Sequence, residues 1–268
     1  MIESSSRETD LKFHSIEPHA LESRSSRLVH SHHEIQVHAF CLTASSDVHV
    51  WCDHWLSRAE HNRVERFRFE RDRHHYVVAH GYLRHILGRY SGRDPGALEF
   101  RDLAGGKPVL IDEGDQVSPI RFSLSHSHGC GLLAVANGIE VGVDLEQVRE
   151  EVEYLKLAER FFSPTESKVI RAKRADQQPE AFFRYWVGKE AMLKAKGSGL
   201  RFPLGQCEMV FDQDEDTASV RWGQTSLAEN QWEVRFLPLP TGWVGAVAAE
   251  GTDWTVSYCR QDLSTSTQ

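Results

Sequence analysis

Two acidic residues near the middle of the chain have a spacing that suits metal binding. Asp144 and Glu146 end an alternating run that begins at Ile139, so both carboxylates face one side of a predicted strand. Hard cations such as Mg²⁺ bind carboxylate oxygens and complete their shell with water and substrate phosphate. Acidic pairs are also common on exposed strand faces, so this pair needs further support.

A second group of polar residues lies on a predicted helix. Trp186, Glu190 and Lys194 are spaced by four residues and share one helix face. A third carboxylate and an ammonium beside the first two acids would suit metal-assisted attack on a phosphoanhydride, in which a base activates a hydroxyl. The alternative is a core tryptophan with an ordinary surface Glu–Lys pair.

A polar segment from Phe122 to Gly129 is predicted as a strand that ends in a loop of serines, histidines and a glycine. Such loops bind phosphates through backbone and side-chain donors, although a simple polar turn has the same composition. We do not interpret Ser125 and His126 as a nucleophile and its base. Neighbours on a strand point apart, and the chain has no G-x-S-x-G elbow.

An arginine-rich stretch precedes these segments. Residues 58–93 hold nine arginines and four acids, in a chain whose net charge is −8. Because arginine and glutamate alternate there at helical spacing, one interpretation is a solvated helix surface. The other is a phosphate-binding surface, since guanidinium groups present paired donors to phosphate oxygens.

The elements that must position these residues are mixed helices and strands without a regular βαβ rhythm, which predicts an α+β fold. Asn137-Gly138 predicts a hairpin between the strands on either side of it. A capping box, Ser163 to Glu166, predicts a helix start, and Gly197 a helix end. The predicted helices are 59–90, 163–175 and 179–196, and the predicted strands are 35–42, 121–125, 131–136, 139–146, 207–211, 218–222, 231–236 and 243–249.

Composition excludes several classes of protein. The 268 residues contain no apolar run near the ~20 residues of a membrane helix. The acidic net charge argues against nucleic-acid binding. Five cysteines without a C-x-x-C pair, and an N-terminus without an apolar signal region, predict a cytoplasmic protein with reduced thiols. Residues 1–34 are predicted as a flexible tail and residues 261–268 as a frayed end.

Four segments match one family signature in the same order along the chain. Their patterns are G-K-P, F-[NS]-x-S-H-S, G-[IV]-D-[IL]-E and W-x-x-K-E-[AS]-x-x-K-x-x-G-x-G-L. They correspond here to residues 106–108, 122–127, 142–146 and 186–200. From about Leu56 to Ala249, the chain thus resembles the surfactin-type 4′-phosphopantetheinyl transferases, and the long lysine motif is the most specific match.

The resemblance implies a fold and a reaction. The fold would be two similar α/β halves, 35–137 and 138–260, related by a pseudo-twofold axis, in a monomer with its active site in the cleft between them. The reaction would move the 4′-phosphopantetheine arm of coenzyme A to a serine of an apo acyl or peptidyl carrier protein, releasing adenosine 3′,5′-bisphosphate. The carrier could serve fatty-acid, polyketide or nonribosomal-peptide synthesis.

The resemblance also implies residue roles. Asp144, Glu146 and Glu190 match Mg²⁺ ligands, although oxygen ligands also suit Mn²⁺. Glu190 matches the general base, and Lys194 matches the lysine that neutralises or protonates the leaving phosphate. The implied coenzyme A contacts are Arg63, Lys107, Ser125, His126, Asp144 and Lys194.

Three positions depart from the family pattern. Glu60 and Tyr76 stand where relatives carry a basic or small hydroxyl residue, and His75 stands where arginine is frequent. Two other functions remain open at this point. A binding module for coenzyme A or a carrier protein would bind without turnover. A Mg²⁺-dependent phosphohydrolase would act on coenzyme A with water alone.

Overall fold

The computed structural model describes residues 11–15, 33–198, 202–222 and 232–259. Within these ranges the protein is a mixed α+β fold, as predicted. The helices are α1 Ser46–Trp55, α2 Arg58–Val64, α3 Glu70–Ser91, α4 Tyr154–Phe161, α5 Pro164–Ala172 and α6 Gln178–Lys196. The strands are β1 Glu34–Cys41, β2 Glu99–Asp102, β3 Pro108–Asp112, β4 Gln116–Val117, β5 Ile120–Ser127, β6 Cys130–Asn137, β7 Val141–Gln147, β8 Cys207–Phe211, β9 Thr217–Trp222, β10 Trp232–Phe236, β11 Trp243–Glu250 and β12 Thr255–Cys259.

Two larger sheets form the centre of the molecule. The first has the strand order β12-β1-β6-β5, and the second has the order β7-β11-β10-β9-β8. Strands β2, β3 and β4 form a small third sheet. The pairs in the first two sheets are antiparallel except for β1 with β12, which run parallel.

Three groups of buried residues hold the layers together. The first joins α1 and α3 to one face of the first sheet, and the second joins α6 to one face of the second sheet. The third lies between the two sheets and is built from small and β-branched side chains such as Val37, Ala134, Val143 and Val247. The order helix, sheet, sheet, helix gives the two-halves arrangement expected of the family.

The predicted hairpin at Asn137-Gly138 is wrong. Strand β6 belongs to the first sheet and β7 to the second, so the chain crosses between sheets at this turn. Gly138 has a positive φ of 76° and donates its N–H to Pro119 O. The dipeptide signals a tight turn, but the partner of the following strand depends on packing between the halves.

The polar segment after Phe122 is not a loop. Strand β5 continues to Ser127 and forms a hairpin with β6, whose turn contains His128 and Gly129 at positive φ values of 47° and 79°. Ser125 and His126 therefore lie within a strand and point to opposite faces.

The predicted single helix over residues 59–90 is two helices, α2 and α3. The chain leaves α2 through tight turns, in which Arg66 N–H donates to Arg63 O and Phe67 N–H donates to Val64 O. The Phe67 ring packs 5.4 Å from the Tyr76 ring, and this contact requires the change of direction.

Part of the N-terminal segment is packed in the fold. Leu11 is 5% exposed and donates its N–H to Pro238 O, and His14 O accepts from Cys41 N–H. Residues 11–15 therefore differ from the flexible tail predicted over 1–34. Glu34, the last residue of the predicted tail, begins β1. Tail residues 1–10 and 16–32 and the predicted frayed end, 261–268, lie outside the described residues, as does Gly199-Leu200 of the lysine motif.

The other predicted elements agree with the structure. The capping box at Ser163 and Glu166 forms with both hydrogen bonds, and Gly197 ends α6 in the left-handed region. The four short strands after residue 206 are present as β8 to β11. None of the helices in the described ranges is both long and apolar enough to cross a membrane.

Candidate active site

A glycine brings the acidic strand against the motif helix. At Gly142 in β7, an added Cβ would lie 1.9 Å from Ala191 O and 2.3 Å from Ala195 N, both in α6. Only a residue without a side chain allows this approach. The close packing places the carboxylates of β7 beside the polar residues in the second half of α6.

Asp144 is the point where three elements meet. Its Oδ1 atom accepts hydrogen bonds from Ser125 Oγ of β5 at 2.8 Å and from Lys194 Nζ of α6 at 2.7 Å. The Asp144 residue is only 7% exposed, and the partly exposed Lys194 ammonium beside it balances its charge.

Glu146 is held by the same pair of strands. Its Oε2 atom accepts from Ser127 Oγ at 2.8 Å and lies 3.6 Å from the Arg149 guanidinium. Ser123 continues the pattern by accepting from Val143 N–H at 3.1 Å. The sequence prediction does not include Ser127, although the alternation of serines at 123, 125 and 127 is a signal for it.

Glu190 faces the two acids of β7. Burial raises the pKa of its carboxyl, and the negative charges of Asp144 and Glu146 raise it further against the opposing effect of Lys194. The resulting pKa is about 7. A carboxyl with this pKa is a stronger base than an ordinary glutamate, and the shift reflects crowding among three acids.

The chemistry of this donor set fits a hard cation such as Mg²⁺. Oxygen atoms are its preferred ligands, and a bound cation would relieve the repulsion that raises the Glu190 pKa. Among the described residues, no group of three or more histidine, cysteine, aspartate or glutamate side chains is already arranged to hold a metal ion. The Lys194 ammonium lies 2.7 Å from Oδ1 of Asp144, the same oxygen that accepts from Ser125.

His126 lies on the other face of β5 and keeps substantial exposure. Partial burial, together with the positive charges of His80, Lys194 and His75, lowers its pKa below the ordinary histidine value. The His80 ring stacks on the Tyr76 ring, with 3.9 Å between the ring centroids. His75, His80, His126 and the Tyr76 ring form a histidine-rich aromatic edge close to Lys194.

Arg63 and Glu60 of α2 lie on the Tyr76 side of this edge. The Arg63 guanidinium is 5.7 Å from the centroid of the Tyr76 ring, and its side chain is exposed. Glu60 is bound by Arg84, with a 2.7 Å contact to a guanidinium that is 2% exposed. Glu60, which stands where relatives carry a basic or small hydroxyl residue, therefore pairs with the buried Arg84.

Lys107 points into the protein. Its ammonium donates to Glu140 Oε2 at 2.6 Å, to Ala195 O at 2.8 Å and to Val141 O at 3.1 Å. Glu140, which the sequence places on the same strand face as Asp144, is therefore bound outside the acidic cluster.

Lys189 is adjacent to Glu190 in sequence but is fully buried. Its ammonium lies 2.8 Å from Glu166 Oε2 and donates to Leu204 O at 2.9 Å and to Cys207 O. Glu166 also accepts from Met209 N–H at 2.9 Å. This ion pair attaches α6 to α5 and to the start of β8, which fixes the helix that carries Glu190.

Two family descriptions match the chain, one in each half. Residues 140–259 match the 4′-phosphopantetheinyl transferase superfamily, and residues 44–137 match the N-terminal region of 4′-phosphopantetheinyl transferases. Together they include all the candidate site residues named above.

Two transferases, HetI and Sfp, agree with this match. The chain is 37% identical to the 4′-phosphopantetheinyl transferase HetI of Nostoc sp., over 76% of this chain and 82% of HetI. It is 29% identical to the 4′-phosphopantetheinyl transferase Sfp of Bacillus subtilis, over 60% of this chain and 68% of Sfp. A solved holo-[acyl-carrier-protein] synthase of Thermotoga maritima is 20% identical, with a TM-score of 0.35, over 42% of this chain and 64% of that chain. The identity to HetI over most of both chains shows that this protein belongs to the 4′-phosphopantetheinyl transferase superfamily.

Proposed function

We propose that this transferase moves the phosphopantetheine arm of coenzyme A to a serine of an apo acyl or peptidyl carrier protein, with Mg²⁺, and releases adenosine 3′,5′-bisphosphate. The observation that carries the proposal is the meeting of Asp144, Glu146, Glu190 and Lys194 at one place between β7 and α6. A protein that only bound coenzyme A would not need three crowded carboxylates and a lysine.

Asp144, Glu146 and Glu190 are the residues that would hold the metal ion. When bound, Mg²⁺ would neutralise charge on the pyrophosphate oxygens as the transfer proceeds. Ser125 and Ser127 orient the two carboxylates of β7 through their hydroxyl groups.

The reaction needs one proton acceptor and one cation from the protein. The Glu190 carboxylate takes the proton of the carrier serine as the serine oxygen bonds to the phosphorus of the pantetheine phosphate. The bond between this phosphorus and the bridging oxygen breaks, and the bridging oxygen leaves with adenosine 3′,5′-bisphosphate. Lys194, freed from Asp144, neutralises or protonates this leaving group.

The remaining coenzyme A contacts would come from Arg63 and the histidine-rich edge close to Lys194. Arg63 and His126 would bind phosphate groups, whereas Ser125 would act through Asp144, to which its one O–H donates. We further propose that the protein acts as a cytoplasmic monomer, since both sides of the candidate site come from one chain and none of its five cysteines forms a disulfide.

The test is intact-mass spectrometry of apo carrier proteins from fatty-acid, polyketide and nonribosomal-peptide systems. Each carrier is incubated with the enzyme, coenzyme A and Mg²⁺, and parallel samples contain EDTA or EDTA with excess Mn²⁺. We expect one phosphopantetheine to be added to at least one carrier, and EDTA to prevent this. Release of adenosine 3′,5′-bisphosphate with no carrier present would instead support the phosphohydrolase.

Replacement of the proposed base tests the mechanism within this assay. We expect Glu190→Ala to lower kcat by at least about 10³-fold, because it removes both a base and a metal ligand. Glu180→Ala is the matched control, since Glu180 is exposed in the first turn of the same helix. A Glu190→Ala enzyme that folds and turns over at the rate of the control would contradict the assigned role.

A further inference from the structure

The Lys107 ammonium has no donor left for a ligand. An ammonium group carries three N–H donors, and three protein oxygens accept them: Glu140 Oε2, Val141 O and Ala195 O. The residue is 8% exposed. Contact with a phosphate would require one of these buried bonds to break, which leaves a polar group unsatisfied.

One of the three acceptors is a carbonyl at the end of α6. The last four carbonyls of a helix have no partner within the helix. Here Lys194 O accepts from Gly197 N–H and Leu193 O accepts from Ser198 N–H, both at 3.2 Å. Lys107 supplies the partner of Ala195 O and puts a positive charge at the negative end of the helix dipole.

The backbones of the same two segments touch. An added Cβ at Gly105 would lie 1.6 Å from Gly197 O, and one at Gly197 would lie 3.5 Å from the Lys107 side chain. The turn is held by Leu103 N–H to Lys107 O at 2.9 Å and Gly106 N–H to Leu103 O at 2.7 Å. The turn that contains Lys107 and the glycine at the end of α6 thus form one packed joint between the two halves.

The joint also includes the beginning of β7. Glu140 accepts from Lys107 and from Arg121 Nε of β5, each at 2.6 Å, and Val141 is the first residue of β7. Lys107 therefore ties together the N-terminal turn, the acidic strand and the end of the motif helix. Lys194 lies one residue before Ala195 and reaches Asp144 at 2.7 Å.

We propose that Lys107 is a positioning residue that fixes the end of α6 against β7, so that Lys194 and Glu190 stand correctly at Asp144, and that it does not bind a phosphate of coenzyme A. The proposal rests on the proposed transferase activity. In this proposal the G-K-P turn, residues 106–108, serves the contact between the two halves.

Steady-state kinetics with a carrier that the wild-type enzyme modifies separate the two roles of Lys107. For Lys107→Met, the positioning role predicts a fall in kcat of about ten- to hundredfold, because small displacements of reacting groups have such effects. It predicts a KM and a calorimetric Kd for coenzyme A within about twofold of wild type. Unchanged kcat with a KM raised about tenfold or more would overturn the proposal. Lys156→Met is the control, since Lys156 is exposed and pairs with Glu153 at the surface.

A second variant keeps the test valid if Lys107→Met fails to fold. Glu140 has a side chain that is 38% exposed, and Glu140→Gln removes its charge with little change in shape. The positioning role predicts a lower kcat for this variant. A phosphate-binding Lys107 would instead be released from its partner and would bind coenzyme A more tightly, which would contradict the proposal.

Hydrogen exchange provides a readout that does not need turnover. We expect Glu140→Gln and Lys107→Met to speed exchange of the Gly197 and Ser198 amides, which close the end of α6, by about tenfold or more relative to the Lys156→Met control. If these amides exchanged at the rate of the control, the proposal that Lys107 fixes the end of α6 would be contradicted. If wild-type enzyme modifies no carrier, the proposed function fails, whereas these exchange rates still decide whether Lys107 fixes the helix end.

Discussion

At the residue scale, the partners of each glutamate decide whether its carboxyl loses or keeps a proton. Burial alone would raise the pKa of Glu60, but hydrogen bonds from His80, Arg84 and Ser57 outweigh burial and lower it to about 2. Glu190 is also buried, but its neighbours are mostly acids, and its pKa rises to about 7. The first arrangement stabilises a fold, and the second suits a base that needs a cation nearby.

The Glu60–Arg84 pair predicts a pH-dependent contribution to stability. A carboxyl whose folded pKa is lowered stabilises the fold above its unfolded pKa of about 4.5, and this stabilisation is lost as pH falls toward 2. We expect Glu60→Gln to lower the free energy of unfolding at pH 7 by about 3 kcal/mol, since the buried guanidinium of Arg84 loses its carboxylate partner. Urea unfolding of wild type and variant from pH 7 to pH 2.5 should show this difference shrinking below pH 4.5.

The matched control for this prediction is Glu153→Gln. Glu153 pairs with Lys156 at the surface, and both side chains are at least 70% exposed. We expect its effect on unfolding to stay near zero at every pH. A difference between wild type and Glu60→Gln that stays constant down to pH 2.5 would mean that the pair does not titrate as described.

At the element scale, the contact of β7 with α6 determines the geometry of the site. Strand β7 carries Asp144 and Glu146, and helix α6 carries Glu190 and Lys194. The buried Lys189–Glu166 ion pair holds the helix from its other side. Gly142 allows the strand to approach the helix backbone, so the glycine of the G-[IV]-D-[IL]-E pattern has a packing role next to the acids.

Substitution of Gly142 tests this contact. In Gly142→Ala the new methyl group would meet Ala191 O and Ala195 N at distances that no packed atom tolerates, so β7 must move away from α6. We expect a loss of about 3 kcal/mol in the free energy of unfolding and a fall in kcat of at least about tenfold. Gly205→Ala is the control, because its Cβ would meet backbone atoms only at 3.5 Å or more. Equal effects of the two substitutions would show that the close approach is not needed.

At the scale of the whole molecule, the strand near the C-terminal end, β12, belongs to the first sheet together with β1. Strand β12 pairs in parallel with β1, and Trp254, just before β12, is 1% exposed in the core between the sheets. The predicted boundary of the second half at residue 260 remains a prediction, but β12 contributes to the first sheet. The N-terminal half therefore depends on residues from the other end of the chain.

Truncation tests this dependence. A chain ending at Gly251 loses β12 and Trp254, and we expect a lower urea midpoint together with faster hydrogen exchange in β1, whose edge becomes unpaired. A chain ending at Cys259 retains both features and is the control. If the shorter chain kept wild-type exchange in β1, the first sheet would not need its C-terminal strand.

Local signals in the sequence were sufficient for much of this protein. The capping box at Ser163, the glycine after Lys196 and the alternating strands predict their elements because they depend on contacts within a few residues. The family motifs also place Asp144, Glu146, Glu190 and Lys194 in one candidate site, and the family itself is confirmed. The roles of these residues remain proposals.

Other features depend on contacts between residues far apart in the chain. Asn137-Gly138 looks the same whether the next strand pairs with the previous one or crosses to the second sheet, and only the core between the sheets selects the crossing. The partners of Ser127 and Lys107 lie on β7 and α6, and no spacing along the chain reveals them. The tertiary structure decided these points because buried hydrogen bonds and close backbone contacts are satisfied only when all layers are assembled.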